Sequence, residues 1–166
     1  MFIRTKKVKS YEYAYIVANK WKKGKVKQKT KKYLGRVHRF EKTSSAEFLK
    51  FYNIRNIDSY LKNSSKYKIM KELIQLELHN HGFHQHGDVW QNKGAYVDTT
   101  NLRIFSSKGR NIALAFNEGF LTSYTLRQIM KIKPHAEEDV YKLAKAFVES
   151  GINIPKDIFI GLYGKL

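Results

Sequence analysis

The stretch Tyr11–Val37, YEYAYIVANKWKKGKVKQKTKKYLGRV, alternates with a period of two, and that alternation restricts it to a pair of extended strands. Tyr11, Tyr13, Tyr15 and Val17 fall on one side of the first strand, and Glu12, Ala14, Ile16 and Ala18 on the other. Trp21-Lys22-Lys23-Gly24 carries the turn, because glycine supplies the positive φ that a tight hairpin requires. In the returning strand Lys25, Lys27, Lys29 and Lys31 recur at every second position. A regular strand projects all four ammonium groups from one face, one about every 6.6–6.8 Å. Such a comb either lies along the phosphates of a nucleic-acid strand or serves as a solvated edge that resists pairing with other chains.

Charge favours the first use. Residues 1–43 hold fifteen Lys and Arg against Glu12 and Glu41, a net of +13, whereas the other 123 residues contribute only +5 to the total of +18. Crowding like charges onto one hairpin opposes compactness, and a polyanion relieves the repulsion. The expected partner is DNA or RNA. Phosphate contacts are assigned to Lys22, Lys23, Lys25, Lys27, Lys29, Lys31, Lys32 and Arg36, and stacking on bases or sugars to Tyr11, Tyr13, Tyr15 and Trp21. Phe2–Val8 adds a third strand and completes a meander, with the tyrosine row and the lysine comb both expected on its solvent face.

The run Phe2–Val37 contains Tyr13-Ala14-Tyr15-Ile16-Val17, then Gly24-Lys25-Val26, then Tyr33-Leu34-Gly35. In this it resembles the amino-terminal segment of some insertion-sequence transposases, where a similar hairpin precedes the catalytic domain. The resemblance covers about a fifth of the chain and implies a shared nucleic-acid-binding module. It does not extend to strand transfer, because the remaining 123 residues are too few for a ribonuclease-H-like domain.

From Thr43 the character changes, and a boundary is placed there between a basic module, 1–43, and an α+β module, 44–166. Ser44 and Glu47 read as a capping box starting a short helix, and Ile57–Leu61 as another. From Ser65 to His79, Tyr67, Met70, Leu73, Ile74 and Leu78 give one buried stripe, stopped at Gly82. Strand signals follow at Val89-Trp90, Ala95–Asp98, Leu102–Phe105 and the continuous apolar run Ile112–Phe116. Thr122 or Ser123 caps a helix through Lys131. Pro134 separates it from Ala136–Ser150, which has Glu137, Glu138 and Asp139 in its first turn and a stripe of Val140, Leu143, Ala144, Phe147 and Val148. Pro155 starts a last helix.

Four of six histidines lie between His79 and His86. His84 and His86 align on a strand, and Asp88 or Asp98 could add an oxygen ligand, so His84, His86 and Asp88 form a candidate metal site; surface histidines are the alternative. Asp98 and Glu118 end strands, as acids of metal-dependent nucleases often do.

Composition bounds the rest. With 42% hydrophobic residues the chain can bury a core, and without cysteine it forms no disulfide or thiolate site. The absence of a long apolar run or a signal-like start points to the cytoplasm and away from membranes.

The expected architecture is α+β: a basic amino-terminal antiparallel β-meander followed by a helix–sheet–helix module. The expected function is nucleic-acid binding through the hairpin, as a component of a ribonucleoprotein such as the ribosome or as a DNA-bound accessory factor. The alternative is a metal-dependent nuclease using the His/Asp/Glu cluster. No catalytic constellation and no cofactor motif is evident, and residues 44–166 could hold a protein partner.

Overall fold

A computed structural model describes residues 1–132 and 137–164. It has α+β architecture, with an amino-terminal antiparallel meander followed by helices and a second sheet. The meander is β1 (Phe2–Val8), β2 (Tyr11–Lys22) and β3 (Lys25–Arg39). Lys23 and Gly24 form the two-residue turn between β2 and β3, both with positive φ. This is the type I′ arrangement, whose twist matches that of the flanking strands.

Helices α1 (Phe48–Phe51), α2 (Ile57–Asn63) and α3 (Lys66–Asn80) come next. They precede a four-stranded antiparallel sheet of β4 (His84–His86), β5 (Val89–Asn92), β6 (Ala95–Asp98) and β7 (Arg103–Ser106). The chain then returns to the first sheet with β8 (Ile112–Phe116) and β9 (Gly119–Leu121), and ends in α4 (Ser123–Lys131), α5 (Glu137–Ser150) and α6 (Lys156–Tyr163). The first sheet has the order β1-β2-β3-β8-β9, with β8 parallel to β3. Strands from both sides of the boundary at Thr43 therefore share one sheet. The junction depends on Gly35. A Cβ there would meet the carbonyl oxygen of Asn111 at 2.5 Å and the Cα of Ile112 at 2.6 Å, and its φ is +135°. Only glycine lets the start of β8 approach this closely.

As its continuous apolar run requires, β8 is buried at all five positions. Leu114 and Phe116 join α3, the second sheet and α4–α6 in the main core. A smaller core of Ala14, Ile16, Leu34 and Ala113, flanked by Ile3, Val37 and Tyr124, lies under the meander.

Several local expectations change. Glu47, not Ser44, is the N-cap of α1, and no side chain caps it. Asn80 holds this segment instead, since its carbonyl accepts from the N–H groups of Thr43 and Ser44 and its side chain from that of Ala46. Tyr67 and Val148 are exposed, outside their expected stripes, and Ile69 is fully buried on α3. The Thr122 cap does form, as a reciprocal capping box with Thr125. Gly82 ends α3 in a Schellman motif, with Phe83 N–H donating to Leu78 and Gly82 N–H to His79. Pro134, Ala136 and the side chains of Glu137 and Glu138 lie outside the described residues. Among the described residues no helix is long and apolar enough to cross a membrane.

Candidate nucleic-acid interface

Register decides which way each side chain of the meander points. Residues opposite each other in an antiparallel pair share a face. Along β2, which alternates without interruption, Trp21 opposes Val26, Asn19 Gln28, Val17 Thr30, Tyr15 Tyr33 and Tyr13 Arg36. Lys22 opposes Lys25, Lys20 Lys27, Ala18 Lys29, Ile16 Lys32 and Ala14 Gly35. The tyrosine row and the lysine comb thus occupy opposite faces of the sheet, which corrects the expectation that both share one solvent face.

The comb is also interrupted. β3 shifts register twice, between the partners of Ile16 and Val17 and between those of Ala14 and Tyr15, which leaves Lys31 and Leu34 as extra residues. Lys31 sits in a bulge without a cross-strand partner, and Lys32 takes the next place on the lysine face. Because one inserted residue reverses the facing of everything beyond it, the bulge at Lys31 also carries Tyr33 to the tyrosine side.

β1 pairs with β2 only as far as Val17, so beyond that point β2 and β3 form a free two-stranded ribbon. Its five residue pairs extend roughly 17 Å, and every residue from 19 to 33 is exposed. One face presents Lys20, Lys22, Lys25, Lys27 and Lys29, continued by Lys32, whose Nζ lies 5.6 Å from the ring centroid of Tyr124. Lys23 belongs to the turn. Among the described residues none of these lysines enters an ion pair. Trp21, 77% exposed, and Val26, 51% exposed, stand at the tip on the other face.

The tyrosine face is built differently. Tyr33 packs 5.3 Å from Tyr15 and 6.3 Å from Tyr13, both tilted. The Arg36 guanidinium lies 3.6 Å from the Tyr11 centroid, and Lys6 Nζ lies 6.0 Å from that of Tyr15. Arg4 donates to Gln28 across the strands, and these two with Lys6, Tyr15, Val17 and Thr30 line a hollow of about 60 Å³. Burial first, then the neighbouring Tyr15 and Tyr13, pushes the Tyr33 hydroxyl above its ordinary range and keeps it a neutral donor. No position of β1–β3 on this face carries Asp or Glu. Glu12 lies on the opposite face, bonded to Arg39 at 2.5 Å. A hydrogen bond from Thr5 and the nearby Arg39 together outweigh burial and hold the Glu12 carboxyl below its ordinary range.

Sequence reading missed Tyr33, Arg4, Lys6 and Gln28. Arg4 and Lys6 share the parity of Tyr13 and Tyr15 once β1 is paired, and that signal was present. Tyr33 was hidden by the bulge.

The second sheet disperses the candidate metal ligands. His84 and His86 share a face of β4 and line a cavity of about 560 Å³ with Gln91, Asn92, Lys93, Gly94 and Tyr96, and Asp88 is not part of its wall. Among the described residues no three His, Asp or Glu side chains gather in a group able to hold a metal. Asp98 closes its own loop by accepting from the N–H groups of Thr100 and Asn101 and from the Asn101 amide. Burial opposes its ionisation, but these bonds prevail and lower its pKa. Glu118 lines a separate cavity of about 620 Å³ beside Asn117, Asn153 and Lys156.

Of the other two histidines in this cluster, His79 lies in the last turn of α3 and His81 caps its end. His81 is buried, stacked 4.1 Å from Phe116, with Nδ1 at 2.9 Å from the Glu77 carbonyl and 3.2 Å from its carboxylate. The Glu77 carboxylate also accepts from Asn117 and from the N–H of Asn153. These bonds tie α3 to the two loops that hold Asn117 and Asn153.

No protein-family model, curated protein or solved structure matches the chain.

Proposed function

We propose that this protein binds nucleic acid, with the β2–β3 ribbon as its phosphate-contacting element. The observation that carries this reading is a free ribbon with five lysines on one face, continued by Lys32 at its base, none of them ion-paired among the described residues. A two-stranded ribbon is marginal in water, and like charges opposite each other weaken it further. Lys20 opposes Lys27 and Lys22 opposes Lys25, so the free ribbon carries repulsion that a bound polyanion removes. Ribbons of this width fit the grooves of duplexes and also follow single strands. The resemblance of Phe2–Val37 to the amino-terminal segment of insertion-sequence transposases supports the same role. Its setting would be a cytoplasmic ribonucleoprotein or a DNA-bound complex, in which residues 44–166 contact a protein partner.

The test is the salt dependence of binding to labelled DNA and RNA. If the six lysines of this face each neutralise one phosphate, log K should fall against log salt with a slope of about −4 to −5. Binding that ignores salt, or magnesium-dependent cleavage of the oligonucleotide, would overturn the reading.

A further inference from the structure

We propose that the tyrosine face of β1–β3 is a stacking site for unpaired bases, so that the nucleic acid this sheet prefers is single-stranded. The inference rests on the nucleic-acid reading above and adds a second contact surface with a different chemistry.

Four tyrosines on a solvent-facing sheet surface are not accounted for by the core, which lies on the other side around Ala14 and Ile16. Tyr33 is 52% exposed and Tyr11 44%. The rings of Tyr13 and Tyr15 meet Tyr33 at interplanar angles of 43° and 52°, so none of these rings is covered face to face by another. A flat partner with its own π-face can stack on such rings. A base in a duplex has both faces covered by its neighbours, and an unpaired base does not.

Charge selects among flat partners. Arg4, Lys6 and Arg36 stand among these tyrosines, and the charge of Arg110 acts on Tyr33, with no acid of β1–β3 on the same face. Neutral sugars gain little from four cations, whereas a strand with one phosphate per base is complementary to them. The hollow beside Tyr15 adds Arg4, Gln28 and Thr30 as hydrogen-bonding groups, and at about 60 Å³ it admits an exocyclic group or a water but no base. The face continues outward through Asn19 to Trp21. Tyr15 to Trp21 spans roughly 20 Å of strand, room for about three extended nucleotides. The lysines on the reverse face can take the phosphates of the same strand as it turns over the open edge of the ribbon, which β1 leaves unpaired beyond Val17.

The experiment compares three fluorescent ligands of equal backbone charge on the full chain: a thymidine oligonucleotide, an abasic oligonucleotide of the same length, and a duplex. Binding is read by anisotropy at fixed salt. The base-bearing strand should bind at least about tenfold more tightly than the abasic one. Tyr15→Leu with Tyr33→Leu should abolish that difference while leaving the salt slope unchanged, and Tyr15→Phe with Tyr33→Phe should keep it. Tyr33→Leu alone, at an exposed position, should halve the difference on a logarithmic scale and serves if the double variant unfolds. Equal, salt-dependent affinity for abasic and base-bearing strands overturns the stacking site and leaves the ribbon reading standing. Preference for the duplex does the same. Absence of salt-dependent binding to every ligand overturns both.

Discussion

Replacing Lys20, Lys22, Lys25 and Lys27 together with glutamine removes two directly opposed like-charge pairs and four ammonium groups from one face of the ribbon. Each lost phosphate contact lowers the magnitude of the salt slope by about 0.7–0.9, so four reduce it by about 3. If affinity at 1 M salt is unaffected, a slope change of about 3 corresponds to a loss of up to about a thousandfold at 0.1 M. The fold should not suffer, because all four side chains are exposed, none is ion-paired among the described residues, and the changes relieve repulsion across the strands. The melting temperature should hold or rise, more so at low salt where screening is weakest. A control variant with Lys62, Lys108, Lys131 and Lys156 changed to glutamine alters net charge equally at exposed sites away from the ribbon. Fluorescence anisotropy titrations at four or five salt concentrations, with thermal melts of both variants, supply the measurement. If the two variants lose affinity equally, long-range charge and not a docked ribbon carries binding. A ribbon variant that melts earlier would show that its lysines stabilise the hairpin.

Gly35→Ala places a Cβ 2.5 Å from the Asn111 carbonyl oxygen at a φ of +135°, so the β3–β8 pairing must open or shift; chemical denaturation should show a loss of about 3 kcal/mol or more, and an unchanged midpoint would refute the close approach. Glu77→Ala strips partners from the Asn117 amide, the Asn153 N–H and His81 in a buried site, and should cost about 2–4 kcal/mol in the same assay. Burial first, and Arg36 next, lowers the His38 pKa, so the folded state favours the neutral ring. The unfolded chain then takes up the proton first as pH falls through its ordinary value of 6.5. Stability should therefore be full above neutrality and decline as the medium is acidified past that point. His38→Gln should flatten the decline in melting temperature between neutral and mildly acidic buffer, and an equally steep decline in the variant would remove His38 as its cause.

Elements with strong local signals were legible in the amino-acid sequence. The period of two in Tyr11–Val17, a turn ending at Gly24, a helix cap at Thr122 or Ser123, the Gly82 stop and the unbroken apolar run of β8 each specify backbone over a few residues, with no help from distant ones. The charge imbalance of residues 1–43 is a property of composition and was equally plain. The facing of the binding groups was not. Alternation counted along β3 puts Lys25, Lys27, Lys29, Lys31 and Tyr33 on one side, and two inserted residues, Lys31 and Leu34, change that assignment. β3 pairs with β2 on one edge and receives β8 against Gly35 on the other. The second of those partners lies more than seventy residues further along the chain. Local periodicity could announce that tyrosines and lysines line a hairpin, but only the register of β3 against β2, with its two inserted residues, settles which of them look the same way.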